Sequence, residues 1–79
     1  MKSMAWEERV WLALKDAVSG MPPIIRSRAL KKIINRAEQS AKARQARMVQ
    51  AVDLWDAVEN AVPGPIKPMC RNALKEAGL

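Results

Sequence analysis

Apolar residues recur along this chain at spacings of three and four, the period of a helix that buries one face. In the first segment, residues 4–18, Trp6, Val10, Leu14, Ala17 and Val18 form one stripe. Ser3 stands where an N-cap is expected, and Glu7 and Glu8 fall near the positive end of the helix dipole. Trp11 lies off the stripe, so it either widens the buried face or stays partly exposed. Gly20 supplies a helix stop, and Pro22-Pro23 turns the chain.

The second segment opens at Pro23, a residue suited to a first helical turn. At 100° per residue, Leu30, Ile33, Ile34, Ala37 and Ala41 fall on one side. Arg28, Lys32, Arg36 and Arg47 fall on the other, with Lys31 and Lys42 beside them. The pattern predicts an amphipathic helix with a narrow, Ala-rich apolar face that lets another helix approach closely.

The third segment, about residues 53–62, carries Leu54, Trp55, Ala57, Val58 and Ala61, with Asp53 as its expected N-cap and Asp56 in its first turn. No Gly or Pro separates Ile24 from Val62. One unbroken helix at ~1.5 Å per residue would outrun a compact domain of this size, so a break within 46–52 is expected. The fourth segment follows Pro63-Gly64-Pro65, runs from about Lys67 to Ala77, and ends at Gly78. The two halves of the chain echo each other: a Trp-bearing helix, a Pro/Gly turn, then a helix with Arg, Ala, Leu and Lys. Both a duplicated helical hairpin and a chance repeat of helix-turn-helix grammar fit that echo.

Composition agrees with the periodicity. There is no Thr, Tyr or Phe, and Ala, Leu, Met, Lys, Arg, Glu and Gln dominate, which favours helix over strand. With 79 residues, the expected architecture is one all-α domain, a small bundle of three to four short helices. Within it, 1–62 form the main helical unit and 63–79 a Pro/Gly turn with a terminal helix. A core this small often leans on a partner. Glu7, Glu8 and Arg9 interrupt the stretch where a secretory signal needs an apolar run, and no stretch reaches the ~18 apolar residues that span a bilayer. The expected location is a soluble, reducing, cytoplasmic compartment, with membrane contact only through a partner complex.

Charge is concentrated. Residues 26–47 hold eight basic residues and one acid, Glu38, for +7, whereas the whole chain carries +6. One basic helix therefore accounts for the excess, and its candidate anion- or partner-binding residues are Arg26, Arg28, Lys31, Lys32, Arg36, Lys42 and Arg47. Such a face attracts nucleic acid or an acidic protein, or simply stays solvated. Asn35 and Gln39 lie on the same side, where base-reading groups would be needed for specificity. A membrane surface fits less well, because the opposite face is Ile and Ala rather than bulky aromatics.

Catalytic groups are scarce. There is no His, which removes the usual base of a hydrolase triad and the main ligand of zinc and haem sites. Cys70, near Lys67 and Arg71 in a first helical turn, is either an activated thiolate or, more economically, an inert small apolar residue. Asp53, Asp56 and Glu59 share a helical face, but capping and pairing explain them more cheaply than a metal site. No metal and no enzymatic activity are expected. Trp6, Trp11 and Trp55 are the only aromatics, read either as core anchors or as an apolar wall for a planar ligand.

The run MPPIIRSRALKKIINRAE at 21–38 resembles the small helical domain at the C-terminus of the B subunit of light-independent protochlorophyllide reductase, a domain also found as short stand-alone proteins. Trp6 or Trp11, Pro23, Ile24, Ile25, Arg26, Arg28, Ile33, Ala37 and Ala57 take the family's positions, over roughly residues 6–62. The chain departs from it where the family has a central Glu, here Ile34 or Asn35, and where it has a Gly before the last helix, here Ala41. The resemblance implies a non-catalytic accessory subunit docked on a larger complex of tetrapyrrole, chlorophyll-pathway or photosynthetic function. It also implies contact with a tetrapyrrole but no covalently bound cofactor, and Arg26 and Arg28 paired with propionates or acidic partner residues. The alternative is a small basic nucleic-acid-binding protein.

Overall fold

A computed structural model describes residues 2–79. Four helices carry the fold, as the composition predicts, together with one two-residue strand pair that the periodicity conceals. The order is β1 (Ala5–Trp6), α1 (Glu8–Val18), α2 (Pro23–Ala43), β2 (Met48–Val49), α3 (Ala51–Ala61), a 3-10 turn (Gly64–Ile66) and α4 (Lys67–Glu76).

The first helix begins later than expected, and Ser3 does not cap it. Residues Ala5 and Trp6 are extended and pair in parallel with Met48 and Val49. The Glu7 N–H continues the ladder to the Val49 carbonyl at 3.0 Å. Glu7 then takes the N-cap position without a side-chain cap, its carbonyl accepting from Val10 and Trp11 at 3.0 Å each. The spacing of four between Trp6 and Val10 looks helical. An extended Trp6 instead reaches an acceptor on α2 that a local pattern does not contain.

The 21 residues of α2 span about 31 Å at 1.5 Å per residue. That matches the longest dimension of the molecule, 32 Å. A single helix over 24–62 would far exceed it, and the chain does break, over residues 44–50. Gln45 adopts φ 59°, the left-handed region. The Ala46 N–H reaches back to the Ala41 carbonyl at 2.8 Å and the Gln45 N–H to Lys42 at 3.0 Å, a Schellman closure. The same closure ends α4, where Gly78 at φ 80° takes the left-handed position and Leu79 and Gly78 donate to Leu74 and Lys75.

Asp53 is not the N-cap of α3. Gln50 is, and Asp53 is the third helical residue of a reciprocal capping box. Asp56 consequently sits in the second turn. The broadest packing is α2 on α3, followed by α1 on α4. Ala37, Ala41 and Ala57 are fully buried, the close helix approach that small residues allow. Val10, Leu14, Ile33, Ile34, Val49, Leu54, Val58, Cys70 and Leu74 complete the centre of the core, while Leu30 packs only at its edge. The two chain halves differ in form, since α2 has 21 residues and α4 has 10.

Candidate functional site

The cations of α2 divide according to what faces them. On the flank toward α3, Arg36 donates to Asp56 at 2.8 Å. Arg44 donates to both Asp53 oxygens, at 2.8 and 2.6 Å, and to Gln50 at 3.0 Å. Asp53 is fully buried and also accepts from Ser40 and from the Gln50 N–H, at 2.9 Å each. Burial pushes its carboxyl upward, but these bonds together outweigh burial and hold it below the usual carboxylate range. Arg36 and Arg44 are thus structural. Order along the two helices, Arg44 with Asp53 and Arg36 with Asp56, makes α2 and α3 antiparallel.

The opposite flank carries the one acid of the basic segment. Glu38 is buried and accepts from the Trp6 indole N–H at 2.9 Å, from the Ser3 N–H at 3.0 Å and from the Ser3 hydroxyl. Burial raises its carboxyl, yet these hydrogen bonds and the charge of Lys42 together bring it below the ordinary range. Glu38 thereby ties β1 to α2. Sequence reasoning passed over it, although one signal was present: a lone acid at helical spacing from Ile34 and Ala41, on the apolar side.

What remains is a solvent-facing stripe of Arg28, Lys31, Lys32 and Lys42, with Arg26 half-buried near its start. No carboxylate among the described residues forms an ion pair with any of them. Arg47 does not belong to the stripe. It is exposed, but α2 stops at Ala43 when Gln45 turns left-handed, so helical periodicity no longer places it. Ile24 and Ile25 adjoin the cations and are 72% and 50% exposed. The first turn of α2 contains no acid and no side-chain cap. Of the cations only Arg26 lies in that turn, at the positive end of the helix dipole, an arrangement that costs about 0.3–1 kcal/mol at low salt.

A length mismatch shapes this end. The 11 residues of α3 extend about 16 Å, half the run of α2. The first turns of α2 therefore lie beside the last turn of α3 and the residues that follow. There a groove of about 230 Å³ opens, lined by Ile25, Arg28, Ala29, Lys32, Ala61, Pro63 and Ile66.

The tryptophans do not form one wall. Trp6 is buried, with Trp11 edge-to-face at 5.2 Å, and Lys2 lies 4.3 Å over the Trp11 ring. Trp55 is half-buried and donates its indole N–H to the Leu79 carbonyl at 3.1 Å. Cys70 is fully buried, and burial pushes its thiol upward. Arg71, which could have lowered it, is engaged bidentately with Glu59 at 2.7 Å. The activated-thiolate alternative fails on that geometry. Asp53, Asp56 and Glu59 point to three different arginines, and no group of three metal-ligating side chains occurs among the described residues. No helix among them is long and apolar enough to cross a membrane. No protein-family model, curated protein or solved structure matches the chain.

Proposed function

We propose that the chain is a non-catalytic helical module that docks on a larger protein assembly through the N-terminal half of α2. The observation that carries this reading is the juxtaposition of unpaired Arg28, Lys31 and Lys32 with the exposed Ile24 and Ile25. A purely solvating face has no use for exposed isoleucines. A face that also neutralises acidic groups and covers apolar surface gains from both. The resemblance carried by residues 21–38 adds that the assembly handles tetrapyrroles, in chlorophyll synthesis or photosynthesis, with pigment contact shared with the partner rather than held in a pocket of this chain.

A second reading, a small nucleic-acid-binding protein, draws on the exposed Asn35 and Gln39 beside the same cations. It predicts affinity that falls steeply with salt. The protein reading is preferred because phosphates do not reward the exposed isoleucines.

The test is recovery of the tagged protein from native-host lysate at moderate salt, with and without nuclease, followed by mass spectrometry and an absorbance scan. A stoichiometric, nuclease-resistant protein complex is expected, and pigment absorbance would support the tetrapyrrole setting. Nucleic acid in its place, with protein partners lost after nuclease, would transfer the basic face to phosphate binding. Recovery of the chain alone would overturn both readings.

A further inference from the structure

We propose that the groove between the first turns of α2 and the segment after α3 is a binding site for an acidic peptide segment, one that carries an aliphatic side chain between two carboxylates. The proposal rests on the docking reading and names the partner chemistry of one part of that surface. Ile25, Ala29, Ala61, Pro63 and Ile66 give the groove an apolar floor, and Arg28 and Lys32 stand on it as its only charged side chains. These two cations are one helical turn apart, so their Cβ atoms are separated by about 5–6 Å. Neither forms an ion pair among the described residues, whereas Arg36 and the C-capping Arg44 farther along the chain do. Charge complementarity therefore calls for two negative groups at comparable spacing, with an apolar group between them to cover the floor.

Size narrows the occupant. The volume of about 230 Å³ lies below the roughly 300–1,000 Å³ of pockets that enclose drug-sized ligands. The groove accommodates side chains rather than a whole cofactor. A nucleic acid would satisfy Arg28 and Lys32 but leave the floor of Ile25, Ala61 and Ile66 without a complementary surface. A peptide satisfies both.

Panning a phage-displayed random dodecapeptide library on the immobilised full chain tests this directly. The selected peptides, resynthesised and titrated by fluorescence anisotropy, are expected to place Asp or Glu on both sides of Leu, Ile, Val or Met. Three variants follow. Ile25→Asp removes the floor and is tolerated by the fold, since position 25 is half exposed and a carboxylate suits a helix N-terminus. Arg28→Glu with Lys32→Glu reverses the two groove cations. Lys15→Glu with Lys75→Glu, both exposed and away from this face, makes the same change in net charge elsewhere. The first two should weaken binding about tenfold or more, and the matched control by much less, with circular dichroism unchanged in all three.

Peptides without the acidic pattern overturn the proposal, as does a library that yields no binder. Equal weakening by the control pair overturns it too, because it reduces the effect to overall charge. A host complex that survives Ile25→Asp and the Arg28/Lys32 reversal sinks the groove but leaves the docking reading standing. Failure to recover any host protein complex sinks the docking reading itself, while the peptide titration still decides the groove.

Discussion

Replacing Glu38 by leucine and Trp6 by phenylalanine, singly and together, measures the bond that holds β1 to α2. Trp6 is buried, and its indole N–H has Glu38 as its acceptor at 2.9 Å. In Glu38→Leu that donor is left without an acceptor away from water, at a cost of about 1–3 kcal/mol. The two Ser3 bonds lost with it weigh less, because Ser3 is exposed and its groups can turn to water. In Trp6→Phe, Glu38 keeps both Ser3 bonds but loses its most deeply buried donor and some packing, again about 1–3 kcal/mol. In the double variant neither partner remains to be orphaned. The two losses should therefore fall short of additivity by about 1.5–3 kcal/mol, the range for hydrogen bonds to a charged group. A chain of 79 residues has about 4–12 kcal/mol of total stability at the usual per-residue range, so each variant remains foldable. Urea unfolding at pH 7 followed by far-ultraviolet circular dichroism is the suitable assay, since indole fluorescence itself changes with Trp6. A coupling within about 0.5 kcal/mol of zero would refute the reasoning. Solvent would then be satisfying the indole, and β1 would be held by its pairing with β2 alone.

Gln45→Gly should stabilise the protein by roughly 0.5–1 kcal/mol, since a left-handed non-glycine residue costs about 1–2 kcal/mol and glycine gives back part of that through chain entropy; an unchanged or lower urea midpoint would contradict this. Asp53→Ala should cost about 1–3 kcal/mol, because it leaves the Ser40 hydroxyl and the Gln50 N–H without their acceptor and removes the capping box. Asp56→Ala, which breaks a largely exposed pair, should cost at most about 1 kcal/mol; equal unfolding midpoints for the two would refute the distinction. Acid should destabilise the fold. Glu38 and Asp53 are held below their ordinary values, so their contribution is complete above about pH 5, clear of the free-carboxylate range, and is lost as pH falls through that range and the lower folded values. Urea midpoints at pH 7, 4 and 3 should decline, and the decline should be shallower in Glu38→Leu; parallel curves would remove Glu38 as a source.

Where local chemistry dictates an element, its position could be read from the chain. Pro23 fixes the start of α2 because its ring presets φ and it has no N–H to waste. Gly78 marks the end of α4 because it enters the left-handed region without strain. The end of α2 carries no such mark. Ala43, Arg44 and Gln45 all favour helix, and Gln45 is forced left-handed only because the chain must turn for α3 to pack on α2. Trp6 misleads for the same kind of reason: its partners, Val49 and Glu38, are distant in sequence, so a stripe shared with Val10 is the nearest local interpretation. The basic face was legible in composition but not in its extent. Two of the eight cations in 26–47 are consumed by Asp53 and Asp56, and that pairing exists only once α3 has folded back along α2.

The same pairing separates stability from recognition along a single helix. The side chains through which α2 and its C-cap are polar-bonded to their neighbours, Arg36, Glu38, Ser40 and the capping Arg44, lie in its second half or just beyond it. No cation in its first half forms an ion pair among the described residues, and there only the end of α3 lies alongside. A change at Arg28, Lys31 or Lys32 removes no folded-state ion pair, so it should leave the urea midpoint nearly unchanged. Changes at Arg44 should lower it. The first half of the longest helix thus keeps four cations without an ion pair, Arg26, Arg28, Lys31 and Lys32, beside two exposed isoleucines. Such a departure from local optimisation is expected where a surface is shaped for binding rather than for folding. The separation can be tested without knowing the partner, because it requires the same charge reversal to lower the urea midpoint at Arg44 but not at Arg28, Lys31 or Lys32.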